Sequence, residues 1–216
     1  MRLQGADRWL LPIAFGFGAI IAVFMVLRIS AFLGGPGVDW FSIPSGAMVP
    51  TLMIGDHLVA QANAYGGRLP ELGEVLVFEN PTDRKTLFVK RIVGLPGDRL
   101  QLRRGRLYIN DQLVKRAPVL AAALSPSNQH LAGLAWYRET LPNGVMHLIA
   151  ERSDSDLADD TEVFEVPPDH VFVLGDNRDN SSDSRIFGSI PVSLLRDRPL
   201  FLFWSEDWSR IGARVE

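Results

Sequence analysis

Hydrophobic and polar positions divide this chain into one long apolar run and a series of short alternating ones. From Trp9 to Leu27 no charged residue occurs. As a helix rising about 1.5 Å per residue, that run covers roughly 28 Å, close to the thickness of about 30 Å of a bilayer's hydrocarbon core. It is apolar all round and contains Gly16 and Gly18, which suits lipid better than one face of a soluble helix. Arg28 can snorkel, and Ile29 to Leu33 continue the apolar character. A cleaved secretory leader would have a shorter apolar region of about 7 to 15 residues, so an uncleaved anchor over 9–33 is predicted. Arg2 and Arg8 precede it within a short 1–8 segment and favour a cytoplasmic N-terminus, although Arg28 weakens the asymmetry.

Gly34-Gly-Pro-Gly37 then breaks the helix, and period-two runs replace it. Glu74–Phe78 and Thr86–Val93 are β-branched and aromatic, separated by the turn-rich Glu79-Asn-Pro-Thr-Asp83. Leu100–Arg103 and Arg106–Asn110 alternate around Gly105 as a hairpin, and Asn110-Asp111 marks another turn. His170–Leu174 reads as a buried strand ending at Gly175, and Val192–Arg196 as a short helix. Residues 117–165 look like loop or insertion, with strands suggested at Trp136-Tyr137 and Val145–Ile149. The pattern predicts a mainly β domain over 34–216.

Composition narrows the chemistry. The chain has 216 residues, 47% of them hydrophobic, a net charge of -3 and no cysteine. Thiol chemistry and disulfides are excluded, and nothing in the charge points to nucleic acid. The basic cluster Arg103, Arg104 and Arg106 falls in the alternating hairpin and reads as a solvated face. The four histidines, His57, His130, His147 and His170, are scattered outside the polar islands and are assigned no chemistry.

Three islands carry the candidate chemistry. The first is Ile43-Pro-Ser-Gly-Ala-Met-Val-Pro-Thr-Leu52. The second, Phe88–Asp98, puts Lys90 among apolar neighbours, where burial disfavours the ammonium form. A pKa drop of about three units, equivalent to roughly 4 kcal/mol, would make it a base near neutral pH; taken alone, the segment fits an ordinary solvent-facing lysine better. The third is Gly175-Asp-Asn-Arg-Asp-Asn-Ser-Ser-Asp-Ser-Arg185. Its oxygen-rich composition suits a calcium loop, but the glycine and terminal glutamate of the common loop are missing and Arg178 and Arg185 oppose a cation. No metal and no cofactor is predicted.

In this order the islands resemble those of type I signal peptidases, which are Ser/Lys endopeptidases with a motif Pro-Ser-Gly-Ser-Met-x-Pro-Thr. Leu52–Asp56 and Tyr137-Arg-Glu-Thr-Leu-Pro-Asn-Gly144 match as well. The resemblance implies a signal-peptidase-like β-sheet catalytic domain, with a family-variable β-rich insertion within 99–170, behind one transmembrane helix. It places Ala47 at the nucleophile position, where serine is usual, and Lys90 as general base. It implies that Ser45 assists the oxyanion hole together with the backbone N–H of residue 47, that Ser181 orients the lysine, and that Asp183 and Arg185 brace the loop. Phe41, Ile43, Pro44, Met48, Leu52, Phe88 and Val89 match positions that bind substrate in shallow apolar pockets.

The implied activity is removal of signal peptides from preproteins after Ala-x-Ala sites. The implied partners are those peptides and membrane lipid, at a bacterial inner membrane with the catalytic domain on the periplasmic side. With Ala47 the chain is predicted to bind without cutting. It is either a peptidase disabled by a Ser→Ala change or a natural pseudo-peptidase that binds preproteins or regulates an active relative. Self-cleaving Ser/Lys repressors would need a soluble DNA-binding segment in place of the anchor.

Overall fold

The computed structural model describes residues 37–120, 131 and 133–216, and those from Asp39 onward form one compact unit. The predicted anchor at 9–33, the short segment before it and His130 lie outside the described residues. Among the described residues no helix is long and apolar enough to cross a membrane.

The fold is mainly β. Its largest sheet combines β1 (Val38–Ser42), β2 (His57–Gln61), β3 (Val75–Glu79), β4 (Leu87–Gly94), β12 (His170–Leu174), β13 (Ile190–Pro191) and β14 (Leu195–Trp204) in the order β1-β2-β14-β3-β4-β12-β13. Between β4 and β12 the chain builds two smaller sheets. One contains β5 (Arg99–Arg103), β6 (Arg106–Ile109), β7 (Gln112–Leu113) and β11 (Phe164–Glu165); the other contains β8 (Lys115–Val119), β9 (Ala135–Thr140) and β10 (Met146–Glu151).

Turn chemistry explains the hairpins. Arg104-Gly105 and Asn110-Asp111 all have positive φ, at 48°, 67°, 52° and 63°. Two consecutive left-handed residues give the tight turn whose twist matches that of paired strands. Alternation then buries Leu100 and Leu102 against Leu107 and Ile109.

One segment departs from its prediction. Only Val192–Leu194 makes a helical turn, of 3-10 type; Leu195 onward is strand. The reason is tertiary. β14 lies between β2 and β3 and bonds to both, so backbone pairing on two sides overrides the local pattern. Pro199 is accommodated because it falls at a register shift in the β14–β2 ladder.

The sheets enclose separate apolar clusters. Phe78, Ile92, Val173 and Leu194 form one, and Val93, Leu100, Phe172 and Leu174 another. A third contains Ile43, Met48, Leu52, Leu58 and Val75, with Phe41 and Val89 packed against it. It supports the segment between β1 and β2, where the first polar island lies.

Candidate active site

Gly46–Met48 is a single 3-10 turn entered from an extended Ser45, with φ -127° and ψ 152°. Its carbonyls are held from across the fold. The Asn177 N–H donates to the Ala47 carbonyl at 3.1 Å, and Asn177 Nδ2 donates to the Gly46 carbonyl at 3.0 Å. The close approach explains Gly175. A Cβ there would lie 2.2 Å from Ser181 Oγ and 2.6 Å from the Ala47 carbonyl oxygen, distances that no side chain tolerates.

Beside this turn opens a groove of about 440 Å³. Phe41, Ile43, Pro44, Met48, Leu52, Phe88 and Val89 line it, together with Ser45, Ala47 and Lys90. The structure thus brings the predicted pocket residues to the same cavity as the predicted nucleophile position and base. Thr86, Leu87, Asn180 and Ser182 also line the groove and were not singled out from the sequence. Their signal was adjacency to the islands, which does not reveal where a side chain points.

Lys90 is 5% exposed. Burial pushes its pKa down from 10.5 to about 8, against the opposing effect of Asp183 and Asp176. Its Nζ donates to the Val89 carbonyl at 3.0 Å and sits 5.3 Å from the centre of the Phe88 ring. Ser181 is not brought to it by a hydrogen bond: Ser181 Oγ is buried with no partner, and Ser182 faces the groove instead.

Asp183 and Arg185 form a two-pronged ion pair at 2.8 and 2.9 Å. The Asp183 carboxylate also accepts from the Gly175 N–H at 3.0 Å and caps the turn Ser184–Phe187 through the Arg185 N–H. This network closes the loop on itself. Two further buried pairs were missed. Arg91 holds Asp176 at 2.8 and 2.7 Å and donates to the Gly73 carbonyl at 2.8 Å; Arg178 holds Glu139. The alternation that put Arg91 on an apolar face of β4 was the available signal, since a buried guanidinium requires a carboxylate.

The described histidines lie elsewhere. His147 Nε2 is 3.3 Å from Glu139, His170 Nδ1 is 2.8 Å from the Pro168 carbonyl, and the His57 ring is 5.7 Å from that of Phe203. None lines the groove. Among the described residues no group of three or more His, Asp and Glu is arranged to hold a metal ion.

A family model described as signal peptidase, peptidase S26 matches residues 13–204. The chain belongs to this family. A signal peptidase I from Pseudomonas aeruginosa is 36% identical over 208 residues, covering 89% of this chain and 70% of that protein. Signal peptidase I from Rickettsia prowazekii is 30% identical over 216 residues, covering 88% and 78%. A crystal structure of a signal peptidase I from Enterococcus faecalis shares 27% identity at a TM-score of 0.35, covering 59% of this chain and 93% of that one. Signal peptidases I are serine endopeptidases, typically membrane-anchored, that act on preprotein signal peptides.

Proposed function

We propose that this chain is a membrane-anchored protein of signal peptidase I type whose groove receives the small-x-small end of a preprotein signal peptide, and that Ala47 stops the reaction before its first covalent step. The observation that carries this reading is the shared groove: Ala47 and the buried Lys90 line one cavity whose other walls are mainly apolar. The anchor is 9–33, with the N-terminus in the cytoplasm and the domain on the periplasmic face of the inner membrane.

The chemistry follows from the groups present. A serine at position 47 would lose its proton to neutral Lys90 while its oxygen attacks the scissile carbonyl. The oxyanion would receive the residue 47 N–H and the Ser45 hydroxyl, donors worth about 3 to 4 kcal/mol in such transition states. The lysine would then pass the proton to the departing amine, and a water would release the acyl group by the same route. A pKa of about 8 leaves a useful neutral fraction of Lys90 near pH 7. A methyl group has no lone pair, so this chain stops at binding.

The test is cleavage of a preprotein with an Ala-x-Ala site in liposomes. The proteins to compare are this chain, Ala47→Ser, and Ala47→Ser with Lys90→Ala. The single revertant is expected to gain on the order of 10⁶-fold in turnover, and the double variant to lose it. A folded revertant that binds preprotein without cutting it would overturn the disabled-enzyme reading in favour of a pseudo-peptidase.

A further inference from the structure

The 46–47 turn depends on contacts that reach well beyond the groove. Asn177, which holds both carbonyls of that turn, is flanked by two buried ion-paired residues. Asp176 is fixed by Arg91 of β4, and Arg178 is fixed by Glu139 of β9. Glu139 is 2% exposed and engages both terminal nitrogens of the guanidinium. His147 Nε2 of β10 lies 3.3 Å from the Glu139 Oε2 that Arg178 also engages. Backbone of β10 and the residues after it adds to the same grip: the Ala150 N–H donates to the Asp176 carbonyl at 2.8 Å, and the Arg152 and Ser153 N–H groups donate to the Asp179 carboxylate at 2.6 and 3.0 Å.

We infer that Glu139 is a positioning residue of the active centre: through Arg178 it fixes Asn177, and through Asn177 the orientation of the turn that carries residue 47. This rests on the reading of position 47 given above.

Two physical arguments support it. The sheet of β8, β9 and β10 contributes no residue to the groove lining, so it reaches the site through these contacts and through the apolar packing of Trp136 and Ala150 on Val49 and Met53. A buried ion pair is also a poor choice if stability were its only purpose, because an apolar pair of similar volume often stabilises as well or better. What a forked guanidinium–carboxylate pair supplies in addition is direction, two parallel bonds that define the plane and heading of the arginine. Fixing residues 176 and 178 independently leaves Asn177 little freedom, and its two donors meet the turn at fixed points.

The test replaces the pair by apolar groups, Glu139→Leu with Arg178→Met, so that no unpaired charge is left to unfold the protein. In the unaltered Ala47 background, amide hydrogen exchange at Asn177 is expected to quicken by about tenfold or more, a local opening, while the amides of β3 and β4 keep their rates. In the Ala47→Ser background, kcat is expected to fall roughly 100-fold, the scale of a small misplacement of reacting groups. KM should change by less than about threefold, because the groove walls come from other elements. Unchanged Asn177 exchange with unchanged kcat would overturn the inference. So would faster exchange spread evenly over the sheets, which would make the pair a stability element only. If Ala47→Ser shows no turnover, the functional reading fails, while the exchange experiment still decides the role of Glu139.

Discussion

The groove wall and the contacts that brace the 46–48 turn bury side chains of opposite character. Phe41, Ile43, Leu52, Phe88 and Val89 form an apolar surface, whereas the turn is braced by Arg91–Asp176, Arg178–Glu139 and Asp183–Arg185. Apolar burial is roughly proportional to area and carries no direction. It can accept a small peptide side chain and tolerate exchange of its own members. Buried ion pairs contribute little net stability but penalise any geometry other than the one that pairs them. Binding in this fold is therefore assigned to a permissive surface, and positioning to a demanding one. Lys90 lies at the boundary, in an apolar setting but with Asp183 and Asp176 acting on it.

The largest expected effect comes from breaking the ionic side. Asp176→Asn leaves Arg91, which is fully buried, without its counter-charge, and should cost about 3 to 5 kcal/mol in chemical denaturation. Burial pushes the Asp176 carboxyl up, but Arg91 and the Thr51 hydroxyl outweigh it and hold it below the ordinary carboxylate range. A depressed pKa contributes stability that is present above the unfolded value and lost as pH falls through the folded one. The Asn variant should accordingly lose part of its acid sensitivity. A cost under about 1 kcal/mol would mean that the ionic side is no more demanding than the apolar one.

An intermediate effect of opposite sign is expected at the boundary. Lys90→Met removes a buried ammonium and should stabilise the domain by about 1 to 3 kcal/mol at pH 7. Because the folded pKa of about 8 lies below the ordinary 10.5, the unfolded chain binds more protons between these values. The stability of the unaltered chain should therefore rise with pH across that window, and the advantage of methionine should shrink. Denaturant midpoints at pH 7 and pH 10 check both statements, and a methionine variant less stable at pH 7 would contradict them. Activity of an Ala47→Ser form would rise through about pH 8 by the same ionisation.

The smallest effect belongs to the apolar wall. Phe88→Tyr keeps the ring that packs edge-on against Phe78 at 5.9 Å and should change stability by under about 1.5 kcal/mol. A thermal melt would reveal any larger penalty, and such a penalty would show that the wall is not permissive.

Much of the fold was legible along the chain because it is written in near neighbours. The hairpin turns at Arg104-Gly105 and Asn110-Asp111 and the strands about Lys90 and His170 follow from residues a few places apart, whereas the pocket positions in 41–52 came from the family resemblance. Local pattern misread Val192–Arg196, where a two-sided strand partnership decided the backbone.

The sequence by itself determined that position 47 carries a methyl group, that a lysine sits in an apolar strand, and that a long uncharged run precedes a β domain. The tertiary structure alone decided which carboxylate each buried arginine meets, across 85 residues for Arg91 and Asp176 and 39 for Arg178 and Glu139. It alone set how deeply Lys90 is buried and brought Asn177 onto the turn at residues 46 and 47. The physical reason is that turn geometry and strand alternation depend on backbone sterics within a few residues, whereas desolvation and ion pairing depend on what the rest of the folded chain brings alongside.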